Sequence, residues 1–364
     1  MITDKRVLLM RSDVRLAGPG VLMFGVASAL RDRGWHVEVA VGSDALTDRF
    51  TAAGFPVHLV PGLDLGDRTA IRMAKGASAL RRIVKNGGHA ILHSFNAQAG
   101  LIGWLASAGL KAKVVNTVLG AGKEGLLKRM PFKLIAVSDF VKRDLVRHGV
   151  PEERITTVYN GVLAPDQLLA DKGSFDALWQ ARRADDTFRI VGIAMMNGDK
   201  GQRASIDAVA RLAALDPPRK LELVLVGDGT RRPSLEEHAK TIGIADRVRF
   251  TGALSDVFPE LDRAHAFLHL SPQETFGIVL AEAHARGLPA VSYAIGGIPE
   301  VVSDQASGIL VPLGDIDGVV AALKRLADDR AECETMGWHG LERTRRLFMR
   351  EALGERIESV YAAL

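Results

Sequence analysis

Short apolar runs alternate with helix-length amphipathic stretches along this chain, and they do so in two successive series. In the first, the runs at 6–10, 36–41, 57–60, 90–93, 113–116, 134–137 and 155–159 predict strands, and 21–33, 69–85, 97–108 and 139–148 predict helices. In the second, strands are predicted at 188–194, 221–226, 248–251 and 266–270, with helices at 203–215 and 235–242. Helices over 316–327 and 331–347 follow, and then a last helical stretch, 351–364. Such alternation folds as a parallel sheet covered on both faces, and an open parallel sheet binds ligands beyond the carboxyl ends of its strands. The fold class is therefore α/β. At 364 residues the chain has room for two such sheets. The domains are placed at 1–163 and 188–346, with a connector at 164–187 that holds Pro165, Gly173 and several charges, and a closing helix at 347–364.

Composition removes several classes of function. A chain that is 47% hydrophobic and 25% charged can bury two cores and carries no sign of disorder. The single cysteine, Cys333, rules out an intramolecular disulfide and fits a reducing compartment. Residues 1–6 pass straight into a strand without the apolar region of a signal peptide. The most apolar later stretch, 99–110, is short and is broken by Gly100, Gly103 and Gly109, so it does not span a bilayer. These features predict a soluble, cytoplasmic protein. The net charge of +4 conceals an asymmetry, because residues 1–163 carry 23 Lys+Arg against 13 Asp+Glu and the remainder 24 against 30. An anionic partner for the first half follows. Aromatic residues are only 5% and no aromatic–basic motif is present, which argues against nucleic acid. Basic residues set among apolar ones at 68–85 and 123–133 suit an anionic membrane surface, and equally a solvated basic face.

The most specific stretch is 271–300. Ser271 and Pro272 stop the apolar run at 266–270, and 277–286 then predicts a helix closed by Gly287 and followed by Pro289. The backbone N–H groups of Phe276, Gly277 and Ile278, at the start of that helix, form an anion site beyond a strand end. Two carboxylates flank it, Glu274 before the helix and Glu282 within it. Glu282 is the odd one on an otherwise apolar helix, and a lone acid there needs a partner. The same pair would also suit a buried crossover helix whose acids cap it or pair with arginine.

That pair, with Phe276-Gly277 between and Gly296-Gly297-Ile298-Pro299-Glu300 after it, resembles the retaining nucleotide-sugar glycosyltransferases of family 4. The resemblance implies the GT-B fold, two Rossmann-like domains facing across a cleft, with the C-terminal helix crossing back to the first. It implies that Glu274 and Thr275 meet the donor sugar and Glu282 the ribose. The diphosphate would lie on Gly20, Lys200, Phe276, Gly277 and Ile278, and the base near Gly227, Ala253 and Leu254. Glu274 and Lys200 would be the catalytic pair, no metal or other cofactor is implied, and the donor would be a UDP-, GDP- or ADP-sugar. Gly20 belongs to 16–20, read as a Gly-rich loop that lacks a full dinucleotide fingerprint. Asn96 and Lys123 are the candidate acceptor contacts, with capping of a helix as the other reading of Asn96.

Two positions depart from the pattern. Met195 stands where relatives place an arginine on the diphosphate, and Leu119 where many carry a histidine near the reacting sugar. Arg203, Arg231 and Arg232 are candidate replacements for the missing cation, and Met195 itself reads as core packing. The expected activity is transfer of a sugar to a lipid-linked or envelope saccharide. A relative that binds nucleotide, or serves as a partner subunit, without catalysis is the alternative that these departures raise.

Overall fold

The computed structural model describes residues 4–14, 18–43, 47–64, 69–120, 127–161, 163–215 and 220–364. The chain divides into two compact units, Met1–Val162 with Phe348–Leu364, and Leu163–Leu347. Each is α/β with one parallel sheet.

The first sheet has seven strands, β1 (Arg6–Arg11), β2 (His36–Val41), β3 (Val57–Leu59), β4 (Ile91–Ser94), β5 (Lys113–Val118), β6 (Lys133–Ala136) and β7 (Ile155–Thr157). They lie in the order β3-β2-β1-β4-β5-β6-β7, so the chain winds one way from β1 and then the other way from β4. Val7 registers with Val37 on one side and Ile91 on the other. Val7, Leu8, Leu9 and Met10 are wholly buried, as a strand covered on both faces requires. The predicted Gly-rich loop is not one, because Gly18, Pro19 and Gly20 open the Gly18–Asp32 helix and Gly20 is buried in its first turn. Leu16 and Ala17 lie outside the described residues.

The Arg350–Ala362 helix belongs to this first unit and packs on Gly18–Asp32. Glu358 accepts from Lys5 Nζ at 3.0 Å, Arg33 Nε at 2.5 Å and Trp35 Nε1 at 2.7 Å. Burial pushes the Glu358 carboxyl up, but Trp35, Lys5 and Arg33 outweigh it and hold it at about 2. Deeper in, His93 joins Tyr361 Oη at 2.6 Å and Thr117 Oγ1 at 2.7 Å, and burial keeps the imidazole neutral by lowering its pKa to about 3.

The second sheet has six strands, β8 (Phe188–Ile193), β9 (Leu221–Val226), β10 (Val248–Gly252), β11 (Ala266–His269), β12 (Ala290–Tyr293) and β13 (Gly308–Val311). Their order is β10-β9-β8-β11-β12-β13. The winding reverses between β8 and β11, and in open α/β sheets ligands bind at that switch, beyond the strand ends. The sequence reading did not pick out β12 and β13, each four residues long.

Residues 164–187 are not a connector. Their Lys172–Ala184 helix puts Phe175 and Trp179 in the core of the second unit. Arg182 on the same helix is buried and donates to the carbonyls of Leu261, Asp262, Arg286 and Gly287. Burial lowers its pKa to about 9, so four carbonyls carry the compensation that a charged buried group needs. Among the described residues no helix is long and apolar enough to cross a membrane.

Candidate functional site

The loops that follow β8 and β11 meet at the switch of the second sheet. After β8 the chain runs 194–201, and Gly201 adopts φ +79° directly under the carbonyl of Leu270, the residue that follows β11. A Cβ there would overlap that carbonyl, so glycine lets the two loops touch. Lys200 thereby comes to the end of β11. Its Nζ lies 3.9 Å from Glu274 Oε2.

Glu274 is fixed from three sides. His269, the last residue of β11 and only 4% exposed, brings Nε2 to 3.4 Å from the same Oε2. The Thr275 N–H donates to Oε1 at 3.1 Å. The Glu274 carbonyl in turn accepts from the Gly297 N–H at 3.1 Å. A Cβ on Gly296, which has φ +57°, would overlap that carbonyl, and one on Gly297 would overlap the carbonyl of Thr275. The Gly296-Gly297 pair is therefore backbone packing that holds the Glu274–Thr275 segment in place. Burial pushes the Glu274 carboxyl up, yet His269, Lys200 and the Thr275 N–H together hold it below the usual carboxylate range.

The Ile278–Ala285 helix starts from Gly277, whose φ of +95° turns the chain from the Glu274 loop into the helix. Among the described residues the Gly277 and Ile278 N–H groups have no backbone partner, as expected of a helix N-terminus. Phe276 points into the protein and is 2% exposed, so its ring does not face a ligand. Leu280, Ala281, Ala283, His284 and Ala285 are buried, which leaves Ile278, Val279 and Glu282 on the less covered stripe. Ile278 and Glu282, four residues apart, share that face. Glu282 has no hydrogen bond or ion pair among the described residues, and burial alone pushes its carboxyl up to about 7. Among the described residues the protein partner expected of this acid is missing, and it is neither a cap nor half of an arginine pair.

The remaining predicted residues divide. The Gly227 N–H bonds the Gly252 carbonyl at 2.9 Å, and a side chain at Gly227 would strike the Ala194 carbonyl. That packs the turn after β9 against the loop after β8. Ala253 and Leu254 are exposed just past β10. Met195 is not core packing. It is 52% exposed, and the buried neighbour is Met196. Of the replacement cations, Arg232 is held by Glu236 at 2.8 Å and Asp228 at 3.4 Å, Arg231 pairs loosely with Asp199 at 3.7 Å, and Arg203 is exposed. In the first unit, Asn96 caps its helix through Oδ1 to the Ala99 N–H at 3.0 Å and donates to Ser12 Oγ, so its capping reading holds. Leu119 packs against the core of that unit. Lys123 lies outside the described residues. Sequence reasoning missed His269 as a site residue, although a histidine inside the apolar run Ala-Phe-Leu-His-Leu is itself the signal.

Residues 17–163 match the family described as Glycosyltransferase Family 4, and residues 187–329 the one described as Glycosyl transferases group 1. The N-acetyl-alpha-D-glucosaminyl L-malate synthase of Bacillus anthracis is 31% identical over 211 residues, which is 58% of this chain and 54% of that protein. The D-inositol 3-phosphate glycosyltransferase of Salinispora tropica is 30% identical over 363 residues, 86% of this chain and 74% of that protein. Against the malate synthase the chain spans about half the relative's length. The crystal structure of Anabaena HepE, in complex with UDP and glucose, superposes with a TM-score of 0.82 at 20% identity, covering 98% of this chain and 99% of the other.

Proposed function

Because the chain belongs to the family 4 type of glycosyltransferases, with the GT-B fold, we propose that it moves a sugar from a nucleoside diphosphate sugar to an acceptor hydroxyl, with retention at the anomeric carbon. The observation that carries this reading is Glu282, a half-buried carboxylate without a protein partner among the described residues, on the same helix face as a free N-terminus. A ribose diol donating to the carboxylate and a diphosphate on the N–H groups would complete both.

In the proposed reaction the acceptor oxygen attacks the anomeric carbon from the leaving-group face. The bond from that carbon to the diphosphate breaks, and the proton of the acceptor passes to the departing phosphate oxygen. Neither a base nor a metal ion is needed for that step. Lys200 and the Gly277 and Ile278 amides would stabilise the leaving group, the kind of fixed donor whose loss costs about 2.7–4 kcal/mol. Glu274 would orient the sugar.

The proposed acceptor is a lipid-linked or envelope saccharide, met at the inner face of the membrane. Lys75, Arg82 and Lys85 support a surface contact, since they lie on the Ala70–Gly87 helix without ion pairs among the described residues, and Ile71, one turn before Lys75, is 71% exposed. If the protein fails to sediment with anionic vesicles at low salt, this part of the reading is wrong. A small anionic acceptor has its own support, because two relatives are named for malate and inositol 3-phosphate.

The test is calorimetric titration of the metal-free protein with UDP, GDP and ADP, followed by transfer assays with the matching sugar donors. Tight binding of one nucleotide, with turnover, is the expected result, and UDP is the first candidate. Binding without turnover would favour the non-catalytic reading that the exposed Met195 supports, since a thioether supplies no charge to the diphosphate. No binding of any nucleotide would overturn the proposal.

A further inference from the structure

We propose that His269 is a positioning residue for Glu274, holding its carboxylate ionised and aimed at the donor sugar. The inference rests on the sugar-orienting role proposed above for Glu274. His269 ends β11, the central strand beside the switch, where its neighbours β8 and β12 fix its backbone. The Ser292 hydroxyl, from β12, donates to its carbonyl at 2.5 Å. The ring lies near that of Phe267, stacked at 6.4 Å between centroids, so the imidazole has little freedom.

Nε2 is buried and has no aligned hydrogen-bond partner among the described residues, and the group it approaches is Glu274 Oε2, at 3.4 Å. A buried ring nitrogen left without a bond is costly. A small rotation of either side chain would let an Nε2–H donate to the carboxylate, and such contacts are commonly long before substrate binds. Lys200, 3.9 Å from the same oxygen, is partly exposed and is also wanted by the diphosphate. When a donor draws the lysine away, His269 is the contact that stays. Burial is the largest influence on the Glu274 carboxyl and pushes it toward the neutral form, so losing the imidazole donor would raise its pKa. Facing groups that enter this balance are Glu274, Lys200 and the Thr275 N–H.

The experiment compares full-length His269→Leu, which lacks a donor, with His269→Gln, whose amide can still reach the carboxylate. Expected for the leucine variant is a loss in kcat of about tenfold or more, nucleotide affinity within about twofold of the parent, and an acid limb of the kcat/KM profile displaced to higher pH. The glutamine variant should recover most of the rate and the original acid limb. If the leucine chain does not fold, His269→Asn takes its place, since its shorter amide stops short of Oε2. An unchanged kcat and acid limb in the donorless variant would overturn the proposal, as would a glutamine variant that folds but gives no rescue. Glu274→Gln is run alongside. If that variant keeps full transfer, the underlying role of Glu274 is what has failed. If it loses transfer while His269→Leu does not, only the His269 inference falls.

Discussion

A Glu274→Gln variant should lose about a hundredfold or more in sugar transfer while binding free nucleoside diphosphate within about twofold of the parent protein. The substitution keeps the size of the side chain and replaces an acceptor-only carboxylate by an amide. Its surroundings are built for the charge, with Lys200 and His269 on Oε2 and the Thr275 N–H on Oε1. The backbone would be undisturbed, because the Glu274 carbonyl remains bonded to Gly297 and packed under Gly296. Nucleotide binding would draw on Lys200, the helix N-terminus and Glu282, none of which changes. A steady-state assay with the cognate donor, set beside calorimetry with the bare nucleotide, separates the two effects. Equal losses in both would mean that Glu274 serves the nucleotide and not the sugar.

The second large effect runs in opposite directions for binding and stability. Glu282→Gln should weaken nucleotide-sugar binding by about tenfold or more, since a carboxylate accepting from a hydroxyl pair makes charge-assisted bonds worth roughly 1.5–3 kcal/mol each. The same change should stabilise the unliganded protein at pH 8. The carboxyl is raised from 4.5 to about 7 in the folded chain, so the folded state disfavours its ionised form. That penalty is absent below the unfolded value, grows as pH climbs from about 4.5, and is complete above about 7. At one pKa unit per 1.36 kcal/mol, the rise from 4.5 to about 7 gives a gain of about 3 kcal/mol at pH 8, falling to less than about 1 kcal/mol at pH 5. The parent should also bind the intact nucleotide sugar more tightly as pH rises through about 7, and the variant should lose that dependence. Urea denaturation at the two pH values, with titrations of the sugar donor across the range, measures both. A variant that is no more stable at pH 8 would show that Glu282 has a partner in the folded protein after all.

Much of the site was legible because its parts are local in sequence. Glu274, the helix start at Gly277 and Ile278, and Glu282 fall within one stretch, and the oddity of an acid on an apolar helix needs no coordinates. Gly20 was misread because the pattern Gly-Pro-Gly suits a loop, and also suits a helix start where proline occupies the first turn. Residues 164–187 were misread because Arg182 and Lys172 look like surface charges. The chain buries the first against four carbonyls contributed by distant residues, which no local pattern announces.

The amino-acid sequence by itself determined the α/β class, the two-unit division and the positions of the two carboxylates, since periodicity and punctuation are properties of neighbouring residues. Only the tertiary structure decided that Gly296 and Gly297 press on the backbone of Glu274 and Thr275, that Met195 faces outward while Met196 is buried, that Glu282 has no protein partner among the described residues, and that His269 meets Glu274 beside Lys200. The reason is physical. The order of strands at the switch joins loops that follow β8 and β11, which begin 76 residues apart in the chain, and close backbone approach is specified by packing across that junction and not by either loop alone.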